Sequence, residues 1–223
     1  MYKGIIFDMD GIMFNTEYLA EEGWMRVARE TGLPVTRQFI RGFHGHNLND
    51  CNQMFKDEFG PDFDIMHYRA IKTQFVKEYI EENGLPVKKG LFELLDAITA
   101  AGIPHTIATS TDRATTLFDL EISGAIRYFD VDRMICGDMV TKSKPDPEIY
   151  LKAAALLGLP PTSCIAFEDS PPGIQSAHAA GLGPILVPDM DRPPEDICRL
   201  ALHELEDLSQ AIPLLPTLLS EYF

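Results

Sequence analysis

Short apolar runs that end in acids or hydroxyl residues alternate along this chain with stretches of helical period. That alternation predicts a parallel sheet covered by helices, so the expected fold class is α/β. Strands are expected at Gly4 to Phe7, His105 to Thr109, Arg133 to Cys136, Ser163 to Phe167 and Pro184 to Val187, each run too short for a buried helix. Between the first two, residues 17 to 82 carry amphipathic helical patterns and no convincing strand. Glu17 to Glu30 stops at Gly32 and Pro34, Leu48 to Glu58 at Gly60 and Pro61, and Ile65 to Glu82 at Gly84 and Pro86. The sheet is therefore expected to be interrupted once, early, by a helical insert. Beyond Pro86 the alternation resumes, with helices at Leu91 to Ala100, after Asp112, near Pro147 and from Pro172. Pro188 to Pro194 reads as a loop before a C-terminal helix that packs rather than functions.

At 223 residues, with 45% apolar and 24% charged positions, the chain can bury a core and fold alone. Nineteen basic against 34 acidic residues give a net charge of −15. A field of that sign repels phosphate backbones and anionic headgroups, so neither nucleic acid nor a membrane is expected as a partner. It would equally repel a small anionic substrate unless a cation and aimed donors reverse it locally. Cys51, Cys136, Cys164 and Cys198 form no CxxC pair and read as reduced thiols. The start of the chain has no secretory h-region, and no apolar run is long enough to span a bilayer. The expected location is the cytoplasm.

The sharpest chemical feature is Phe7-Asp8-Met9-Asp10-Gly11. Strand alternation aims Asp8 and Asp10 the same way, at the strand end where ligands bind in open α/β sheets. One carboxylate can attack while the other handles a proton; the bland reading is that an Asp at a strand end caps the next turn. Thr109-Ser110-Thr111 at the second strand end offers hydroxyls and amides to anionic oxygens, or caps the helix after Asp112. Lys144 lies between prolines in Ser143-Lys144-Pro145-Asp146-Pro147, which restrict the loop that carries it. Glu168 and Asp169 follow another apolar run and supply the hard oxygens that suit Mg²⁺, or cap the turn there.

In combination these four motifs resemble the haloacid dehalogenase superfamily of aspartate-nucleophile phosphohydrolases, in its helical-cap, beta-phosphoglucomutase-like branch. Order and spacing match: 101 positions separate Asp8 from Thr109, 35 more reach Lys144 and 25 more reach Asp169, with the long first gap where that branch carries its cap. The resemblance covers the N-terminus to about residue 190. It implies a Rossmann-like parallel sheet core made of residues 1–14 and 85–223, with a helical cap domain of residues 15–84. It implies Asp8 as nucleophile forming an aspartyl phosphate, and Asp10 as the acid that protonates the leaving oxygen and then activates water. It implies Mg²⁺ held by the Asp8 carboxylate, the Asp10 backbone carbonyl and Asp169, with Glu168 close by. Thr109 and the Ser110 amide would bind the phosphoryl group, and Lys144 would offset the charge around it. The cap would hinge near Phe14 to Glu17 and near Asn83 to Val87, closing over the site to expel water.

Two departures bear on the substrate. Asn15 stands where many relatives carry an acid, and Gly45, in Arg41-Gly42-Phe43-His44-Gly45-His46, stands where the mutases place an arginine that grips a second phosphate. Arg41, His44 or His46 is left to substitute for it. The two histidines have no further ligand at a recognisable spacing and make a weak metal site. Trp24, Phe55, Phe75 and Tyr79 read as core of the insert, and Glu21, Glu22, Glu81 and Glu82 as solvated faces. The leading expectation is a Mg²⁺-dependent monomeric phosphatase of a small phosphorylated metabolite, a sugar phosphate among the options. The alternatives are a sugar phosphomutase sharing the same core and a non-catalytic phosphate-responsive binding module.

Overall fold

In the computed structural model, which describes residues 2–43, 46 and 48–222, the first apolar run is the centre of a parallel sheet. Strand β1 (Gly4–Phe7) has no exposed residue, because neighbouring strands flank it and helices cover both faces. Alternation divides its side chains: Ile5 and Phe7 join the apolar cluster that contains Leu91, Leu94 and Ile98, while Ile6 points to the opposite cluster with Ile149, Tyr150 and Ala153.

The chain then runs through α1 (Thr16–Thr31), α2 (Arg37–Arg41), α3 (Leu48–Phe59) and α4 (Ile65–Asn83) before rejoining the sheet layer with α5 (Leu91–Ala100), β2 (His105–Ile107) and α6 (Arg113–Ser123). It continues through α7 (Glu148–Leu157), β3 (Cys164–Glu168), α8 (Pro171–Ala179), β4 (Gly183–Leu186) and β5 (His203–Glu204), then closes with short helical turns. Among the described residues the strand order is β2-β1-β3-β4-β5, every pair parallel. From β1 the chain goes to β2 on one side and then crosses over to β3 on the other, so the switch point where such sheets bind ligands lies between β1 and β3. Phe7 lies level with Ile107 on one side and Phe167 on the other. That register brings Asp8, Thr109 and the Glu168-Asp169 pair to one edge of the sheet.

Three differences from the sequence reading have local causes. The expected strand at Arg133 to Cys136 is reduced to a single bridge between Ile135 and Ala108, because 3₁₀ turns at Val131–Arg133 and Gly137–Met139 bend the chain on both sides. β2 likewise ends at Ile107, two residues early, where Thr109 donates its amide to Ile135 rather than to β1. α2 and β5 were not anticipated: five residues and two residues are too short to show a period, and α2 is set instead by Thr36, which caps it by accepting from the Phe39 amide at 3.1 Å. Glu21 is corrected for the same reason. It is 1% exposed, since α2 turns its arginines onto this face of α1, where Arg37 and Arg41 both bond the carboxylate. Burial alone would push the Glu21 carboxyl up, but the hydrogen bonds from Arg41 and Arg37 hold it below its ordinary value.

The helices α1 to α4 enclose an apolar cluster of their own around Phe55, whose ring meets those of Trp24, Phe39, Phe43, Phe59 and Phe63. Tyr79, by contrast, packs against the cluster beneath the sheet. The two segments that lead into and out of these helices run side by side. Phe14 bridges Val87, Asn15 donates its amide to Pro86 at 2.8 Å, and Lys88 donates its own to Met13 at 3.0 Å. Phe55→Ala is expected to cost about 3–5 kcal/mol in urea unfolding, the range for emptying a buried aromatic site; a loss under about 1 kcal/mol would show that this cluster is not a cooperative core.

Candidate functional site

Asp8 leaves β1 with its amide bonded to Phe167 at 3.0 Å, so its backbone still follows the strand while its side chain enters the crevice. The carboxylate is buried and meets the Lys144 ammonium, with Nζ 2.7 Å from Oδ1. The same ammonium lies 2.7 Å from Glu168 Oε1, donates to the Ala108 carbonyl at 3.3 Å and stands 5.2 Å from the Tyr150 ring centroid. Lys144 is 2% exposed, although it belongs to a loop. Burial alone would lower its pKa, but Asp8 and Glu168 more than reverse this and hold it charged. Glu168 also accepts from the Tyr150 hydroxyl and from Ser170 Oγ. Gly173 is required there, since a Cβ at that position would overlap the Glu168 carboxylate.

Asp10 is held differently. Thr16 Oγ1 donates to Oδ1 at 2.5 Å, and Thr111 Oγ1 and Thr109 Oγ1 donate to Oδ2 at 2.6 and 3.3 Å. The Thr109 hydroxyl in turn accepts from the Thr111 amide at 3.0 Å, and Ser110 follows on the same loop, its carbonyl packed against Gly137. Gly11 turns the chain with φ of 78° and must lack a side chain, because a Cβ would overlap the Asp169 carboxylate.

Ligand oxygens of Asp8, Glu168 and Asp169 lie within 4.8 Å of one another. The Asp169 carboxylate is 6% exposed and has no hydrogen bond or ion pair among the described residues. Burial, then the charges of Asp8 and Glu168, raise its pKa well above the ordinary range. Burial likewise pushes Asp8 up to about 8 against the pull of Lys144. One ammonium among three buried carboxylates is an under-neutralised site of hard oxygen donors, and a divalent cation such as Mg²⁺ fits it. The Asp10 carboxylate stands apart from this group, held by its threonines.

Thus Asp8, Asp10, Thr109, Ser110, Lys144, Glu168 and Asp169 lie together at the strand ends on one side of the sheet. Of the cap loop, His44 and Gly45 lie outside the described residues. Arg41 is committed elsewhere: beside Glu21 it makes a two-oxygen contact with Asp191 at 3.0 and 3.1 Å. His46 borders a cleft of about 330 Å³ with Arg41, Asp169 and Arg192. The sequence reading passed over Thr16 and Tyr150, which carry no periodic signal, and the role of Thr111, visible only as one of a hydroxyl run. It also passed over three charged groups that act electrostatically with Asp10. Burial and nearby Asp10 push Glu17 up to about 8, and burial and Asp10 push Asp119 up to about 7. Lys72 on α4 has no ion pair among the described residues, and burial lowers its pKa.

A parallel sheet with paired acids at its switch point and a buried lysine between carboxylates defines an α/β protein with a charged cluster at its strand ends. The family model for haloacid dehalogenase-like hydrolases matches residues 5–187, and the chain belongs to that family. It is 33% identical to Protein CbbY of Rhodobacter capsulatus over 96% of this chain and 99% of that one. It is 32% identical to the phosphorylated carbohydrates phosphatase of Thermotoga maritima over 81% and 82%. Among solved structures, a family IA, variant 3 HAD hydrolase from Entamoeba histolytica superposes with a TM-score of 0.80 at 26% identity, covering 99% of this chain and all of that one. The chain is therefore an enzyme, a hydrolase, and the reading as a non-catalytic binding module falls. No helix among the described residues is long and apolar enough to cross a membrane.

Two outcomes test this geometry. Lys144→Met strands Asp8 and Glu168 without their shared cation, and an unfolding loss of about 3–5 kcal/mol is expected, the cost of breaking a buried pair; unchanged stability would show that the ammonium is dispensable. Asp119, whose pKa is raised from 3.8 to about 7, binds its proton more tightly folded than unfolded. Its ionisation therefore costs stability increasingly as pH rises from about 4 to 7. Asp119→Asn is expected to raise the thermal midpoint at pH 8 more than at pH 4.5, and a pH-independent change would contradict that.

Proposed function

We propose that the chain is a Mg²⁺-dependent phosphatase of a small phosphorylated metabolite, with a sugar phosphate as the favoured class. The observation that carries this reading is the pair of acids at the end of β1: Asp8 buried against Lys144 and the unpartnered Asp169, and Asp10 fixed by hydroxyls. The relative named as a phosphorylated carbohydrates phosphatase supports the substrate class.

In the proposed reaction an Asp8 oxygen attacks phosphorus and the bond from phosphorus to the substrate oxygen breaks, leaving the phosphoryl group on Asp8. Asp10 gives its proton to that departing oxygen, so the product leaves as an alcohol. In the second half Asp10 takes a proton from water, the water oxygen attacks the aspartyl phosphate, and inorganic phosphate departs with Asp8 restored. The hydrogen bonds from Thr16 and Thr111 orient Asp10 for both transfers. Lys144 holds the attacking carboxylate and offsets phosphoryl charge, while Thr109 and the Ser110 amide bind phosphoryl oxygens. When bound, Mg²⁺ would be held by Asp8, the Asp10 carbonyl and Asp169, and would add positive charge beside Lys144 in a chain of net −15. Glu168, its oxygens occupied by Lys144, Tyr150 and Ser170, would stand near the ion and mainly holds the lysine.

Residues 15–84 act in this reading as a cap hinged at the paired segments around Phe14 and Val87, excluding water when closed. Lys72 meets the part of the substrate remote from the phosphate. A phosphomutase would need a further cation for a second phosphate, and Arg41, already bound to Glu21 and Asp191, is poorly placed to be it. The enzyme is expected to work as a cytoplasmic monomer.

Phosphate release from a panel of sugar phosphates and other small phosphoesters, with and without Mg²⁺, tests the reading. Release that needs Mg²⁺ and falls by at least about 10³-fold in Asp8→Asn is expected, since loss of a nucleophile removes the covalent route. Full turnover by Asp8→Asn would exclude the mechanism, and isomerised sugar phosphate without free phosphate would favour the mutase.

A further inference from the structure

Asp189 lies beyond the four motifs, in the loop after β4. Val187 donates its amide to the Glu168 carbonyl at 2.8 Å, so the chain leaving β4 runs beside the Glu168-Asp169 pair and delivers Asp189 next to it. A Cβ built on Gly11 would overlap the Asp169 carboxylate and lie 3.3 Å from Asp189 Cβ, which puts the two acids on either side of the same glycine. The Asp189 side chain is 6% exposed. Its Oδ1 is bound by the Lys88 ammonium, while Oδ2 is the buried side-chain oxygen that finds no partner among the described residues. The negative charge of Asp189 contributes to raising the pKa values of both Asp169 and Glu17.

A buried carboxylate oxygen with no donor, beside a second carboxylate with none, is costly unless something positive completes both. Asp189 does not belong to the group of acids whose oxygens lie within 4.8 Å of one another. Direct contact with an ion held by that group is therefore not its role. We propose that Asp189 is a positioning residue of the cation site: its Oδ2 accepts a hydrogen bond from a water on the bound divalent cation, and Lys88 fixes the carboxylate for that purpose. Lys88 is itself placed by the bond of its amide to Met13, where the segment returning from α4 pairs with the segment leaving β1. The aim of Asp189 is thereby tied to the junction between the helical insert and the sheet. The inference rests on the Mg²⁺ reading of the site.

The test is Mn²⁺ binding to the full chain, followed by the electron paramagnetic resonance signal of free Mn²⁺, with the thermal midpoint of the metal-free chain measured alongside. Asp189→Asn is expected to weaken Mn²⁺ binding about tenfold, the usual cost of removing a group that orients a metal's ligands. Its metal-free midpoint is expected to hold or rise, because a like charge beside Asp169 is gone. Asp191→Asn, which removes an exposed charge two residues away, is expected to change Mn²⁺ affinity less than twofold. Affinity within twofold of the unaltered chain in Asp189→Asn, or equal weakening in Asp191→Asn, would overturn the inference and leave the Mg²⁺ reading intact. Failure of the unaltered chain to bind Mn²⁺ would overturn both.

Discussion

The site depends on the burial of one ammonium between two carboxylates. Lys144 reaches Asp8 and Glu168 at the same distance, 2.7 Å, in a place sealed from water. In the low-dielectric interior burial alone would lower the lysine's pKa, and the two carboxylates beside it more than reverse this. Tyr150 and Ser170 then donate to the oxygens of Glu168, so that this acid is held by three neighbours while Asp8 meets the lysine alone.

The sheet makes that meeting possible. β1 is flanked by β2 and β3 in register, with Phe7 opposite Ile107 and Phe167, so the residues that follow each strand emerge at one level. Apolar side chains on both faces lock this register, since a slip by one residue would turn Ile5 and Phe7 toward the wrong cluster. Two glycines complete it by admitting neighbours that any side chain would displace, Gly11 against Asp169 and Gly173 against Glu168. The helical insert enters and leaves through paired segments around Phe14 and Val87, so it is carried beside the site without breaking the strand that bears Asp8. Its contact across the cleft, Arg41 with Asp191, joins α2 to the loop after β4.

Much of this was legible in the chain. Apolar runs too short for helices marked four of the strands, and the polar residues that end them marked the site, because a parallel sheet aligns strand ends by construction. Helix stops at glycine and proline bounded α1, α3 and α4 to within a residue. The order and spacing of Asp8, Thr109, Lys144 and Asp169 carried the family, which the match over residues 5–187 bears out.

What tertiary structure alone decided is where partners from distant segments meet. Glu21 reads as solvent-facing on its own helix and is buried because α2, too short to show a period, turns Arg37 and Arg41 onto it. Thr16 and Thr111 hold Asp10 only because the start of α1 and the loop after β2 arrive on opposite sides of it. Asp189 lies in a proline-rich stretch that reads only as a loop before a C-terminal helix, yet packing sets it beside Gly11 and Lys88. Local pattern reports the period of burial along one element, and so it determined the layers and the strand ends; charge pairing depends on which elements pack together, and that is a property of the assembled fold.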